Sequence, residues 1–206
     1  MAEKSKNPLV KICVAIGIVL AVIAIIYSFF AGNYNKMVSL DEEVSSAWSQ
    51  VENQYQRRYD LIPNLVATVK GYASHEESLF TQIAEARSRA GGVVSIDSSV
   101  MENPEKLAEY QKIQGELGAS LQRLLAVTEN YPELKANENF LALQDELSGT
   151  ENRISVERKR YNDAAKAYNT FIRKFPASIV ANMNGFEKKA YFEAETAAKS
   201  APKVEF

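Results

Sequence analysis

Three charged side chains interrupt the apolar faces of predicted helices, and charged groups at such positions could bind an ion or transfer protons. They are Arg58, Glu76 and Arg158. An unpaired charge inside a helical bundle is costly, so each group must pair or reach solvent. Clustered carboxylates in a bundle can bind a metal ion or transfer protons, whereas Arg–Glu pairs fix the register of packed helices.

Further carboxylates lie near helix ends or one turn from the apolar faces, at Glu129, Glu146 and Glu151. A di-iron site in a bundle needs a Glu-x-x-His motif on two helices, but the chain has one histidine, His75. General acid–base chemistry would also need a cleft and shifted pKa values, which the sequence does not reveal. We therefore favour internal ion pairs over a metal or catalytic site.

Three Tyr-Asn pairs form a second pattern. Their positions are Tyr34-Asn35, Tyr161-Asn162 and Tyr168-Asn169. The last two pairs are seven residues apart, which is two helical turns, so they face the same way. They could form a surface that binds a sugar or an aromatic ligand. Aromatic residues at this spacing are more often bundle core, with each hydroxyl reaching a partner at the rim, and we favour that interpretation.

The sequence lacks the familiar motifs of cofactor and nucleophile chemistry, such as G-x-x-x-x-G-K-[ST], G-x-G-x-x-G and G-x-S-x-G. Its 24 basic and 26 acidic residues give a net charge of −2, which provides no electrostatic footprint for nucleic acid. A single cysteine, Cys13, excludes an internal disulfide. We expect no cofactor, no nucleic-acid partner and no enzyme activity.

A long apolar segment predicts a membrane anchor. Residues 12–30 carry no charge, and a helix of that length spans about 28 Å, close to the hydrocarbon thickness of a bilayer. A cleaved signal has a shorter apolar run and a small-x-small cleavage site, so we expect the anchor to be uncleaved. Lysines precede it at positions 4, 6 and 11, against Lys36 after it. This excess predicts a cytoplasmic N-terminus and an extracytoplasmic domain.

Helical periodicity organises the chain beyond the anchor. The first helix either begins with Asp41 as its cap or runs continuously from the membrane, and Pro63 is expected to kink or break it. A second apolar stripe begins near residue 65 and ends at Gly91-Gly92. Residues 91–103 are rich in Ser and Gly and predict the main loop.

Two further helices complete the predicted domain. Asn103 caps a third helix that starts at Pro104 and ends by Pro132. The fourth has the strongest periodicity, from Phe140 to a stop at Pro176. Beyond it we expect one more turn at residues 178–183, a break at Gly185 and a short helix at residues 190–198.

No strand pattern appears, so the predicted fold is all-α. A single N-terminal transmembrane helix precedes an antiparallel bundle of about four long helices. The expected organisation is a short cytoplasmic N-terminus at residues 1–11, a transmembrane anchor at 12–32, a helical bundle domain at 33–198 and a flexible tail at 199–206.

Several segments together resemble the LemA family of bacterial membrane proteins. They include Tyr34-Asn35, AWSQV at residues 47–51, RRYDLIPNL at 57–65, ENYPELKAN at 129–137 and TENRI at 150–154. The resemblance covers residues 34–192 and implies an N-terminally anchored helical bundle whose molecular function is not established. It carries over no catalytic or ligand residues. Family descriptions have also placed the short N-terminus outside the cell, against the lysine count.

The segments that resemble the family also contain amide and carboxylate side chains, which we add to the charged residues described above. If the first helix packs against the fourth, many of these groups would meet. The predicted structural polar network comprises Arg58, Asp60, Glu76, Glu129, Glu151, Asn152, Arg158 and Asn162.

The leading functional hypothesis is a non-catalytic scaffold or adaptor in the bacterial inner membrane, acting through protein–protein contacts or self-assembly. Its expected partners are lipid, through the anchor, and copies of itself or another membrane protein. The spacing Gly17-x-x-x-Ala21 allows close approach of membrane helices. The alternative is an extracytoplasmic ligand-sensing bundle that signals through a partner protein. An enzyme that uses the internal carboxylates ranks last, because no nucleophile–base pair or metal set can be assembled from the residues; its candidate acids are Glu76, Glu129, Glu146 and Glu151.

Overall fold

A computed structural model describes residues 8–93 and 98–193, and within these residues the chain is helical with no strand. The helices are α1 (Pro8–Lys70), α2 (Glu77–Val93), α3 (Pro104–Thr128), α4 (Pro132–Lys135), α5 (Glu138–Arg173) and α6 (Ala177–Asn184), with a 3-10 turn at Ser98–Val100. The predicted all-α class, with a long apolar N-terminal helix followed by packed helices, is confirmed.

Helix α1 is continuous over 63 residues, a length of about 95 Å. Its side chains from residue 11 to residue 29 are all exposed, and buried positions recur from Met37 onward. The first part is long and apolar enough to cross a membrane. Of the two predicted beginnings of the first bundle helix, the continuous one is therefore correct, and Asp41 is not a cap.

Of the two outcomes predicted at Pro63, a kink or a break, the break is wrong, because Pro63 lies inside α1. A proline in a helix interior costs about 3 kcal/mol through its missing N–H and its crowded ring. Pro63 itself is exposed, whereas Ile62, Leu65 and Val69 are buried on the opposite side. Burial of these three side chains offsets the local cost. The chain turns only after Lys70, so the second helix begins at Glu77 rather than near residue 65.

Three predicted helix boundaries, at Gly91, Asn103 and Pro132, can be compared with the structure. Gly91 does not end α2, which runs to Val93. A Cβ on Gly91 would lie 2.8 Å from the Tyr59 hydroxyl, so this glycine permits close packing against α1. Asn103 caps α3 as predicted, its Oδ1 accepting the N–H of Glu105 at 2.9 Å. Pro132 begins α4 instead of ending α3.

The long helices pack side by side along two apolar clusters. Helix α5 runs antiparallel to α1, and α3 runs antiparallel to α2. The near core lies beside the apolar segment and includes Met37, Trp48, Tyr110, Tyr161 and Tyr168. The far core lies at the other end of α1 and includes Ile62, Leu65, Leu124, Phe140 and Leu147.

After α6 the chain continues as an extended segment, residues 186–193, which we call the strap. Gly185 makes the turn into it with φ of 73°, a left-handed conformation that suits glycine. The helix predicted at residues 190–198 is wrong for residues 190–193, which are not helical. Its remainder and the predicted tail at residues 199–206 lie outside the described residues.

Candidate functional site

A buried guanidinium connects three helices at the boundary between the two cores. The Arg58 side chain is 4% exposed. Its Nη1 donates to Oε1 of Glu151 on α5 at 3.1 Å. Its Nη2 donates to the Gln114 carbonyl oxygen on α3 at 3.1 Å and also to the Gln114 side-chain oxygen. The guanidinium carbon lies 4.9 Å from the Tyr55 ring centroid. We call these contacts the Arg58 layer.

Other members of the predicted polar network lie apart from this layer. The exposed Asp60 accepts a hydrogen bond from Gln56 on its own helix at 2.7 Å. Glu129 pairs with Lys135 in the turn after α3 at 2.5 Å. Glu76 lies in the turn before α2, where its carbonyl oxygen accepts backbone N–H groups. Each of these groups serves its local turn or helix and does not join the packed helices.

The carboxylates do not gather into one site. Glu146 pairs with the exposed Arg57, and Glu151 pairs with the buried Arg58, in separate clefts. Within residues 8–93 and 98–193, no group of three or more His, Cys, Asp or Glu side chains could hold a metal ion. The described part of the chain therefore offers charge pairing at these acids and no assembled acid–base pair.

The strap is held by side-chain amides that bind its backbone. Asn169 donates through Nδ2 to the Lys189 carbonyl oxygen at 2.8 Å, and its Oδ1 accepts the Lys189 N–H at 2.9 Å. Asn162 repeats this pair of bonds with Phe192, at 3.0 and 2.9 Å. Each asparagine thus contacts the strap as a neighbouring β-strand would, with one donor and one acceptor.

The repeat of these amides fits an extended chain. Asn162 and Asn169 are seven residues apart on α5, which is about 10.5 Å along a helix. Their partners Lys189 and Phe192 are three residues apart, which is one turn and about 9 Å in an extended chain of the polyproline II type. Two turns of the helix and one turn of such a chain bring the paired groups back to one face at similar spacing, so α5 can bind the strap at both points.

Additional polar contacts complete the hold on the strap backbone. Gln111 on α3 donates to the Glu193 carbonyl oxygen at 2.6 Å and accepts the Glu193 N–H at 3.3 Å. Arg158 donates to the same carbonyl oxygen at 3.1 Å. The Tyr161 hydroxyl donates to the Ala190 carbonyl oxygen at 3.0 Å, and burial raises the pKa of this hydroxyl, which keeps it a donor.

Two strap side chains fill pockets of contrasting chemistry. Phe192 stacks on Trp48 with ring centroids 5.7 Å apart and meets the Tyr161 ring edge-on. The buried Lys189 ammonium lies 2.9 Å from a carboxylate oxygen of both Asp41 and Glu102. We call the surface that holds the strap the strap groove, lined by Asp41, Trp48, Glu102, Gln111, Asn162 and Asn169.

The lysine pocket keeps its occupant charged. Burial lowers the pKa of Lys189, but hydrogen bonds and charge pairing with Glu102 and Asp41 outweigh burial and raise that pKa above its ordinary value. A raised pKa in the folded state means that this pairing stabilises the strap at neutral pH and that, on the alkaline side, the stabilisation is lost as the pH rises through the raised value. The groove therefore selects a cation at this position.

This arrangement can bind an extended polypeptide. Amides that pair with the backbone are indifferent to sequence, whereas the acidic and aromatic pockets select a lysine and, three residues later, an aromatic side chain. The Tyr-Asn pairs divide between these tasks. Tyr161 and Tyr168 are buried in the near core, from which the Tyr161 hydroxyl reaches the strap, while the adjacent asparagines bind the strap backbone at two points. Tyr34 meets the ring of Phe186, the first strap residue, with centroids 5.7 Å apart.

Sequence reasoning missed most of the groove. It placed Asn162 and Arg158 in an internal network, but both contact the strap. It did not identify Lys189 or Phe192, because residues 190–198 were assigned to a helix. The available signal was the seven-residue repeat of asparagine on one helix face, which matches three residues of extended chain.

Comparison with known proteins places this architecture among bacterial relatives. The model of the LemA family matches residues 47–206. Magnetosome protein MamQ 1 of Paramagnetospirillum magneticum is 30% identical over 197 residues, which cover 87% of this chain and 71% of the relative. Magnetosome protein MamQ of Magnetospirillum gryphiswaldense is 29% identical with the same coverage. Protein LemA of Metamycoplasma hominis is 26% identical over 172 residues, covering 84% of this chain and 74% of the relative.

Loss of the Glu151 charge tests the Arg58 layer. We expect Glu151→Gln to lower the free energy of unfolding by about 1.5–3 kcal/mol, because a buried guanidinium loses its charged partner. Glu146→Gln is the matched control, since both carboxylates are 35% exposed but Arg57 is 56% exposed. That change should cost less than about 1 kcal/mol. Urea unfolding in mild detergent measures both, and equal losses would contradict the assigned role of the layer.

Loss of one asparagine tests the hold on the strap. Asn162→Ala removes two hydrogen bonds, which contribute about 1 kcal/mol each, and should free the strap to open. Trypsin cleaves after Lys188 and Lys189 only when the strap is open, so we expect cleavage there to become about 5–30-fold faster. Asn152→Ala is the control, because Asn152 is exposed on the same helix. Unchanged cleavage of the Asn162→Ala protein would refute the clamp.

Proposed function

This chain belongs to the LemA family, and we propose that it is a membrane-anchored, non-catalytic scaffold that assembles by binding extended polypeptide in the strap groove. Its relatives and its apolar N-terminal helix support association with a membrane. The observation that carries the proposal is the pair of asparagine clamps, because a groove that binds backbone at two matched points is built to hold a chain segment.

The proposed occupant of the groove is the strap of a second copy. The groove is complementary to the strap in its Lys189 and Phe192 pockets as well as along its backbone. An exchanged strap would keep every contact that it makes in one copy, so exchange between copies changes little except the path of the chain at Gly185. Copies would thereby assemble through contacts that each copy already makes within itself, so no additional contact surface is needed.

Membrane anchoring favours such an exchange. Helix α1 runs without a break from the apolar segment into the bundle, so copies in one bilayer carry their grooves at the same height and in the same orientation. Confinement to a surface raises the effective concentration of one copy near another. We propose a single-pass protein of the inner membrane with its domain on the extracytoplasmic side, as the lysine distribution before and after the apolar segment favours.

We also retain the predicted division of the chain as part of the proposal. The anchor at residues 12–32 would meet the bundle domain at residues 33–198 within the continuous helix α1. The short N-terminus at residues 1–11 would lie in the cytoplasm, and residues 199–206 would extend beyond the domain. In this organisation lipid is one partner, through the anchor, and a second copy is the other.

Cysteine crosslinking between two tagged copies tests the exchange. One full-length copy carries Gln111→Cys and the other Glu193→Cys, both with Cys13 replaced by serine, since these side-chain and backbone groups are in contact across the groove. We expect a short bis-maleimide crosslinker to join the two tags in membranes. Leu141→Cys replaces Gln111→Cys as the control, because Leu141 is exposed far from the strap.

The alternative outcomes are distinct. A chain that carries both groove cysteines and crosslinks only within itself, with no product between copies, would contradict self-assembly by strap exchange. A product that joins the Gln111→Cys copy to a different protein would mean that the groove serves an adaptor and takes a foreign segment. The proposed function predicts the product with both tags and its absence in the Leu141→Cys control.

A further inference from the structure

The last helix exposes large apolar side chains on the side turned away from the core. Ile179 and Met183 are one turn apart on α6 and are 45% and 71% exposed. Phe175, four residues before Ile179, is 82% exposed. The buried residues of the same helix are Ala177, Val180 and Ala181, on its opposite side. We call Phe175, Ile179 and Met183 the α6 apolar face.

This face differs from ordinary scattered surface hydrophobics. Ile179 and Met183 are exposed one turn apart on α6, and Phe175 is exposed just before the helix begins; large exposed apolar side chains grouped in this way mark a contact with a protein or a membrane. The helix reaches this position with its small residues packed inward on α1 and α5. The chain therefore places its largest α6 side chains in solvent although smaller ones fill the core side.

The C-terminal end of α6 lies next to the point where α1 leaves its apolar segment. Phe30, the last residue of the apolar segment at 12–30, already packs against the near core. Tyr34, one turn later, contacts Phe186, which comes two residues after the end of α6. Four residues of helix rise about 6 Å. The bundle therefore begins directly at the end of the apolar segment, without a spacer that would lift α6 away from a bilayer surface.

Basic side chains surround this end of the bundle. Arg173 and Lys174 immediately precede Phe175. Lys174 also lines a surface cleft in which three lysines, with Lys36 of α1 and Lys166 of α5, outnumber the one acid, Asp163. Cations near a bilayer surface are attracted to anionic headgroups, at about 1 kcal/mol for each residue. Apolar side chains flanked by such cations are the composition of a helix that lies in the membrane interface.

From these positions we propose that the α6 apolar face inserts into the interfacial region of an anionic phospholipid bilayer, in the leaflet from which α1 emerges. The domain would then contact the membrane at two places, the anchor and α6. This second contact, which rests on the proposed anchoring of α1, would fix the height and tilt of the bundle. Neighbouring copies would consequently present their strap grooves at one level.

Fluorescence quenching by spin-labelled lipid tests the insertion in the full-length chain. Single-cysteine proteins with Cys13 replaced by serine carry an environment-sensitive fluorophore at Ile179→Cys or Met183→Cys, in nanodiscs of phosphatidylethanolamine and phosphatidylglycerol. Interfacial helices bury their apolar face about 5–10 Å below the headgroups, so a nitroxide high on the acyl chain should reduce the fluorescence about twofold.

Leu141→Cys is the matched negative control. Leu141 is 45% exposed, as Ile179 is, but it lies at the opposite end of the bundle, where Asn137 contacts Tyr72. Its fluorophore should not be quenched. Ile23→Cys, near the middle of the apolar segment, is the positive control and should be quenched strongly by a nitroxide placed deep on the acyl chain.

Each result decides between the two claims. Quenching at positions 179 and 183 but not at 141 supports insertion of the α6 apolar face. Quenching at position 23 with none at 179 or 183 would overturn the insertion and leave the anchor in place. A fluorophore at position 23 that escapes quenching would overturn the anchoring of α1, and the insertion with it. Both labelled α6 positions are exposed, so their substitution does not disturb the core.

Discussion

The guanidinium of Arg58 is the constraint on which the rest of the bundle depends. It lies between two apolar clusters, whose hydrophobic attraction is non-directional. Its bonds to Gln114 and Glu151 do have direction. A shift of α5 by one turn, about 5.4 Å, would part Arg58 from Glu151 and leave a charge buried without its partner. The layer thus sets how α1, α3 and α5 align.

The strap groove is a product of that alignment. Its clamping asparagines are on α5, its stacking tryptophan is on α1 and its terminal glutamine is on α3, so the groove exists only when the three helices have their observed register. The side-chain amides then form hydrogen bonds with N–H and C=O groups of the strap backbone. These groups belong to no helix or sheet and would otherwise lack partners in secondary structure. A segment held in this way needs no secondary structure of its own. Its extended form is what the proposed exchange between copies requires.

The sequence predicted what depends on local pattern. Apolar spacing gave the helices, the uncharged run gave the membrane segment, and the charge at Arg58 indicated an internal ion pair. It did not predict the continuity of α1 through Pro63, because burial of Ile62 and Leu65 by distant helices offsets the local cost. It also mistook residues 190–193 for helix. Their conformation is set by Asn162 and Asn169, about 20 to 30 residues earlier in the chain, which no local signal reveals.

Hydrogen exchange of the strap amides in the full-length chain, in nanodiscs, tests the central claim most directly. The N–H groups of Lys189 and Phe192 are donated to asparagine side chains, and those of Ala190 and Glu193 to Met101 and Gln111. We predict that these four amides exchange much more slowly than those of an exposed peptide of the same sequence. Exchange at the rate of an exposed peptide would contradict the account, because the groove would then hold no strap.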